Sequence, residues 1–284
     1  SCRRCRIKAG VRDGGRPPAP LFVCAAGGAM DWKIFLEQAP SGGMTYLGWL
    51  WSGLFWTLAV SACAWVLAFT VGSVVGIART TPLAWARTLG TAYVELFRNI
   101  PLLVQMFLWY FVMPEVIPKA WGDWLKQDMP NLLTLPFAAQ FSLWEFTAAV
   151  LCLGLYTASR VAEQVRSGIQ SLPRGQVAAG LAMGLTLPQV YRHVTLPMAY
   201  RIVIPPMTSE FLTIFKNSST ALTIGVLELT AQSRQISEYT FKTFEAFTAA
   251  TLIYIVITMT VILLMRTLER RVAVPGYIAQ GGGH

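Results

Sequence analysis

Charge is scarce in this chain. Only 13% of its 284 residues are Asp, Glu, Lys or Arg, against about 25% in an ordinary soluble domain. Histidine is limited to two residues, and His193 reads as a surface side chain rather than a metal ligand. Cysteine is sparse and scattered: Cys2, Cys5 and Cys24 fall in the first 29 residues, and Cys63 and Cys152 in apolar stretches. Neither a disulfide framework nor a zinc site follows from that distribution. The sequence has no G-x4-G-K-[ST] phosphate loop, no H-E-x-x-H and no nucleophile paired with a base. Those gaps exclude a nucleotide hydrolase or a zinc hydrolase on this chain.

What is present is apolar and comes in blocks. Hydrophobic residues make up 54% of the chain, with ten Trp and nine Tyr, the aromatic supply that membrane interfaces use. The net charge of +9 is not a nucleic-acid footprint. Residues 1–29 hold Arg3, Arg4, Arg6, Lys8, Arg12 and Arg16 against Asp13 alone, so they carry +5 of it. They are rich in Gly, Pro and Ala and precede Met30, and are expected to be a dispensable leader or cloning-derived segment. A signal peptide is the alternative, but its apolar core, 21–26, is short and crowded by prolines.

About 20 mostly apolar residues cross a bilayer. Five stretches qualify, at 53–77, 91–113, 143–162, 202–227 and 247–265, which predicts an all-α integral membrane protein with about five transmembrane helices. Arg79 and Arg87 follow the first stretch. Arg160, Arg166, Arg174, Arg192 and Arg201 face only Glu163 after the third, and the tail is basic. The intervening segments are neutral or acidic. The positive-inside rule then places the N-terminus outside and the C-terminus in the cytoplasm. Residues 31–48 lie outside, where Trp32, Phe35 and Leu36 form either an interfacial turn or an irregular lead-in.

The long loop 160–201 reads as helix, break, helix. Ser171 and Pro173 open the first helix, Ala178, Ala179, Leu181 and Ala182 give it a small face, and Gly184 breaks it. Thr186 and Gln189 have capping-box spacing, and Pro197 is expected to end the second helix. Ionisable groups inside spans are functional candidates by default. Here they are Glu210 and Lys216, with Arg98 near the inner end of the second stretch. Lys216 either meets a substrate carboxylate or pairs with Glu210 or another span. Glu95 and Arg98 read as a local ion pair, with a gate as the alternative, and Pro205 and Pro206 as a kink or unwound turn.

The loop carries a more specific signal. Ala178-Ala179-Gly180, Gly184, Val194, Leu196 and Pro197 keep the spacing of the E-A-A-x3-G-x9-I-x-L-P pattern. In that respect the chain resembles the permeases of ATP-binding-cassette (ABC) importers, with Ala178 replacing the glutamate and Gly180 the second alanine. Glu95-Leu96-Phe97-Arg98-Asn99-Ile100-Pro101, the run from Glu163 to Pro173, and Phe215-Lys216-Asn217-Ser218-Ser219-Thr220 are similar to the polar amino-acid branch. Within it, the stretches 208–220 and 228–247 most resemble glutamate/aspartate permease subunits.

The resemblance covers residues 30 to about 275 and implies a type I importer fold. Residues 30–48 become a periplasmic lead-in, 49–272 the transmembrane permease domain and 273–284 a cytoplasmic tail. It implies an ATPase-coupling loop with Arg174, Gly175, Ala178, Ala179, Gly180, Gly184, Leu196 and Pro197. It also implies a translocation path among Glu210, Lys216, Asn217, Ser218, Thr220 and Arg98. The partners implied are ATPase subunits holding ATP and Mg, a second permease subunit, a periplasmic substrate-binding protein, the amino acid and lipid. No catalytic residue, metal or cofactor is expected on this chain. Another polar amino acid is the alternative cargo. A secondary transporter would be expected to show repeated halves, and a membrane enzyme a polar catalytic set.

Overall fold

The computed structural model describes residues 31–40, 43–128 and 143–272, and every described element is helical. The expectations for 1–29 and 273–284 lie outside the described residues.

Helix α1 (Tyr46–Ala78) is the spine. Thr45 caps it by accepting from the Gly48 N–H at 3.3 Å, the usual way to satisfy a first-turn donor. Its 33 residues span about 50 Å. Small residues let α6 (Leu143–Gln170) lie directly on it. A Cβ on Gly72 would stand 2.6 Å from Val161 Cγ1 and 2.8 Å from the Ala158 carbonyl oxygen, so close backbone approach limits that position to glycine. One on Gly154 would stand 2.6 Å from Leu67 Cδ2 and displace that side chain. Trp56, Val60, Ala64 and Ala68 of α1 close the main core with Ala148, Ala149, Cys152 and Leu153 of α6.

Helix α2 (Ala84–Asn99) and helix α3 (Leu102–Phe107) occupy the second apolar stretch. The sequence predicts one span there, but the chain turns by 105° between Ala84–Asn99 and Leu102–Val116. Pro101 is the cause: it offers no N–H, and it holds Ile100 in an extended conformation (φ −92°, ψ 129°). A π turn (Leu108–Val112) and helices α4 (Met113–Val116) and α5 (Lys119–Asp123) follow.

Beyond α6 come α7 (Arg174–Ala182), α8 (Leu187–Val190) and α9 (Leu196–Asn217). Pro197 does not end α8. A widened π turn (Tyr191–Thr195) joins α8 to α9, and Pro197 sits in the first turn of α9, where its missing N–H is tolerated. Nor do Pro205 and Pro206 unwind the chain, since α9 runs through both. The change of geometry falls later, in a 3-10 turn (Ser218–Ile224) that stops at Gly225 with φ +98°. Helices α10 (Leu229–Thr240) and α11 (Thr243–Val272) complete the chain.

The lead-in is one 3-10 turn (Trp32–Leu36). Ile34 and Phe35 are buried with Tyr46, Trp49, Leu50, Leu229 and Ile236, so the turn packs on protein while Trp32 and Leu36 stay exposed. Among the described residues, Tyr46–Ala78 and Thr243–Arg271 are long and apolar enough to cross a membrane, and the bent α2–α3 pair makes a third candidate. Helices α6 and α9 have the length but a more polar composition.

Candidate coupling loop and translocation face

The loop is a right-sized wedge with a fixed bend. Helix α7 ends as Gly184 N–H donates to Leu181 O (2.9 Å) and Leu185 N–H to Gly180 O (3.2 Å). Gly184 itself adopts φ +84°, the left-handed region that glycine enters at little cost. The predicted capping box is present: Thr186 and Gln189 cap the start of α8 reciprocally, with Thr186 N–H donating to Gln189 Oε1 at 2.8 Å. Gly180, which replaces an alanine of the family pattern, is buried, and a Cβ there would lie 2.9 Å from Val190 Cγ2. The smaller residue lets α7 and α8 close on each other. Ala178 and Ala179 face outward, and Leu181 (47%) and Met183 (74%) are left uncovered. Gly175 and Gly184 have open space around them. Leu196 and Pro197 lie in the first turn of α9, and Arg174 opens α7.

One hydrogen bond ties this wedge to the connection between α1 and α2: Tyr191 Oη donates to Thr80 O at 2.9 Å. Beside it, Arg79, buried at the end of α1, pairs with Glu163 of α6 at 2.6 Å and donates through Nε to Thr91 of α2 at 3.4 Å. Arg166 reaches the other Glu163 oxygen at 3.4 Å. The loop therefore abuts a charged cluster that joins α1, α2 and α6. A cavity of about 880 Å³ lies between loop and bundle, lined by Arg79, Arg87, Arg166, Val177, Leu181 and Tyr191 among others.

The expected path residues separate into two groups. Glu210 is buried at 5% exposure and does not meet Lys216. Its carboxylate accepts from Arg160 Nε (2.6 Å) and Nη2 (3.1 Å). Lys216 is exposed and lines a second cavity, about 520 Å³, with Ser219, Thr230, Thr251, Tyr254 and Thr258. Asn217 is half-buried beside them. Ser218 is fully enclosed, and its hydroxyl donates to Phe215 O (2.8 Å), as Thr220's does to Asn217 O (2.7 Å). Those two hydroxyls shape the 3-10 turn. Arg98 is exposed at the end of α2 and forms no ion pair with Glu95 among the described residues.

Sequence reasoning missed Arg160, which it counted only as a loop charge. The available signal was the polar four-residue spacing of Tyr156, Arg160 and Gln164 on α6. It also placed Glu228 in an outer segment. Glu228 is fully buried and caps α10, accepting from Thr230 N–H (2.9 Å), Ala231 N–H (2.8 Å) and Tyr254 Oη (2.8 Å).

Long apolar helices, a bent pair and a protruding helix–turn–helix tied to the α1–α2 connection have the form of a membrane transport subunit. The chain belongs to the family described as binding-protein-dependent transport system inner membrane component, whose profile matches residues 68–274. It is 53% identical over 247 residues to the glutamate/aspartate import permease protein GltJ of Escherichia coli, covering 87% of this chain and 96% of that protein. It is 35% identical over 222 residues to the probable glutamine ABC transporter permease protein GlnM of Bacillus subtilis, covering 77% and 91%. Among solved structures, a chain of an amino acid ABC transporter crystallised with histidines superposes with a TM-score of 0.64. Its identity is 29%, and the match covers 80% of this chain and 95% of that one. A chain of the inward-facing MetNI methionine ABC transporter gives a TM-score of 0.62 at 19% identity, covering 84% and 100%, and shares the fold.

Proposed function

We propose that this chain is the membrane-spanning subunit of an ATP-driven importer for glutamate and aspartate. The observation that carries the substrate is the 53% identity to GltJ over 96% of that protein's length. The loop at 174–197 supports coupling to a separate ATPase, because its apolar tip is uncovered and Tyr191 at its root is bonded to Thr80 in the α1–α2 connection. The ATPase supplies ATP and Mg binding, a periplasmic binding protein delivers the amino acid, and a second permease subunit completes the path. Helices α1, α2–α3, α6, α9 and α11 make five crossings of the inner membrane, with the N-terminus outside and the C-terminus in the cytoplasm.

The 35% identity to GlnM supports a second cargo, another polar amino acid. Reconstitution with the ATPase, the second permease and the binding protein separates the two readings. ATP hydrolysis stimulated by glutamate and aspartate, and not by glutamine, is the expected result. Stimulation by glutamine alone would move the assignment to the second reading.

A further inference from the structure

The surface of this bundle is divided. Among the described residues, large hydrophobic side chains stand exposed along α1 (Trp51, Phe55, Val66, Val74) and α11 (Leu252, Val256, Leu263, Leu264), but none does on α6 or α9. What α9 exposes instead is Pro197, Arg201, Pro205, Ser209 and Lys216, with Thr213 half-covered between the last two. On α6 the half-covered positions include Tyr156, Arg160 and Gln164 at four-residue spacing, with Ser167 exposed beyond them. Spacings of three and four put each set on one helix face. Hydrocarbon would cover α1 and α11 at little cost, but not this pair of polar faces.

Arg160 stands where the two faces meet. Its guanidinium holds Glu210 through Nε and Nη2 and lies against Tyr156 one turn away. Glu210 is enclosed, whereas the Arg160 side chain remains 40% exposed. At about 1.5 Å per residue, Arg160 is about 15 Å from the end of α6 and Glu210 about 21 Å from the start of α9. The pair is therefore deep in the helices, well above the coupling loop. A guanidinium presents five donors in a rigid fork. Two are engaged by Glu210 and Tyr156 lies within hydrogen-bond reach of the group, and these contacts fix the plane in which the remaining donors are offered.

We propose that Arg160, held in place by Glu210, is the specificity-determining cation of the translocation path, presenting its open edge to the side-chain carboxylate of an acidic amino acid. This rests on the glutamate/aspartate reading and assigns to it a residue. A neutral amide in place of the carboxylate would lose the charge-assisted bond at that edge. The buried Glu210 is a positioning residue: it aims the guanidinium and keeps it from turning toward Glu163, the carboxylate three residues on in α6.

The test uses the whole reconstituted complex. Removing Arg160 alone strands the buried Glu210, so the informative variant is the apolar pair Arg160→Met with Glu210→Leu. It is expected to assemble with the ATPase and to keep its KM for loaded binding protein, because that contact is made at the outer surface. Its maximal glutamate uptake is expected to fall tenfold or more. Undiminished uptake would show that the pair only packs α6 on α9 and would overturn the assignment. A second measurement does not depend on that variant folding. Arg160→Cys combined with Glu210→Gln, in a chain with its other cysteines replaced, leaves no buried carboxylate to strand, and should regain uptake when a water-soluble reagent attaches an aminoethyl group, and not when it attaches a neutral methyl group. Equal recovery, or none with either, would also overturn it. A parent complex that carries neutral amino acids and not glutamate would sink the functional reading first, and the assignment with it.

Discussion

Gly180 and Gly184 lie in one loop and act by different physics. Gly184 is required by its backbone, at φ +84° with nothing within 4 Å. Gly180 has an ordinary helical backbone and is required by Val190, 2.9 Å from where its Cβ would be. Gly184→Val should therefore cost about 1–2 kcal/mol of local strain, and Gly180→Val should force α7 and α8 apart. Both are expected to weaken ATPase co-purification severalfold while membrane insertion is unchanged. Gly175→Ala, which meets open space at an ordinary φ, should leave co-purification intact. Equal behaviour of all three variants would contradict this account of the bend. The lead-in adds a residue-scale pH dependence outside the spans. Asp31 pairs with Lys242 at 2.6 Å, and that hydrogen bond holds its carboxyl below the ordinary 3.8. The same bond raises Lys242 above 10.5. A lowered carboxylate gives its stabilisation above its ordinary value and loses it as pH falls through the folded one; a raised lysine loses it as pH rises past 10.5. Hydrogen-exchange protection of Trp32–Leu36, corrected for intrinsic rates, should be flat across neutral pH and fall only below 3.8 or above 10.5.

The break between α2 and α3 is where reading the sequence and folding the chain part company. Hydropathy averages across Asn99-Ile100-Pro101 and reports one span. The proline removes a helical N–H, and a turn of 105° would leave the last carbonyls of α2 unpaired. Gln105 answers this locally: its side-chain amide donates to Phe97 O (2.7 Å) and Ile100 O (2.9 Å), and the residue is itself buried. Gln105→Leu should thus cost about 1–3 kcal/mol, seen as a lower melting temperature in detergent. Gln105→Asn, one carbon shorter, is expected to fall between. No change in Gln105→Leu would mean that water already satisfies those carbonyls. The capping box at Thr186, the glycine stop at Gly184 and the start of α7 after Pro173 were legible because a few neighbouring residues decide them. Pro197 was misread as a break, because a π turn carries the chain past it and its missing donor falls in the first turn of α9. Of the two readings of Pro205–Pro206, the unwound turn is ruled out by the continuity of α9. The Arg160–Glu210 pair was illegible for another reason: its partners lie on different helices, and only the packing of α6 on α9 brings them together.

At the scale of the whole molecule, two independent asymmetries have to agree. One is the charge of the connections. Arg79 at the end of α1 and Arg87 in the first turn of α2, and Arg166, Arg174, Arg192 and Arg201 around the α7–α8 loop, are opposed only by Glu163, whereas Glu115, Asp123 and Asp128 accompany Lys119 and Lys126 beyond α3. The other is structural. Arg79, Glu163, Arg166 and Tyr191 gather at one end of the bundle, and the Asp31–Lys242 pair and the lead-in cluster hold Trp32–Leu36 on Tyr46, Trp49 and Ile236, with Lys242 between α10 and α11. Helix α1 separates Tyr46 from Arg79 by about 50 Å, enough to cross the ~30 Å hydrocarbon core, so the proposed five-crossing arrangement puts these two clusters on opposite faces. The charge rule supports the proposal that the arginine end is cytoplasmic. Asp123→Cys and Met183→Cys, each in a chain without other cysteines, occupy exposed sites in α5 and at the end of α7. In sealed right-side-out vesicles an impermeant thiol reagent should label position 123 and spare 183, and in inverted vesicles stripped of ATPase the pattern should reverse. Labelling of both from one side would break the five-crossing arrangement. Replacing Arg79 and Arg87 by glutamine should then lower the fraction of chains inserted in this orientation, because the first connection would no longer carry the charge that retains it in the cytoplasm.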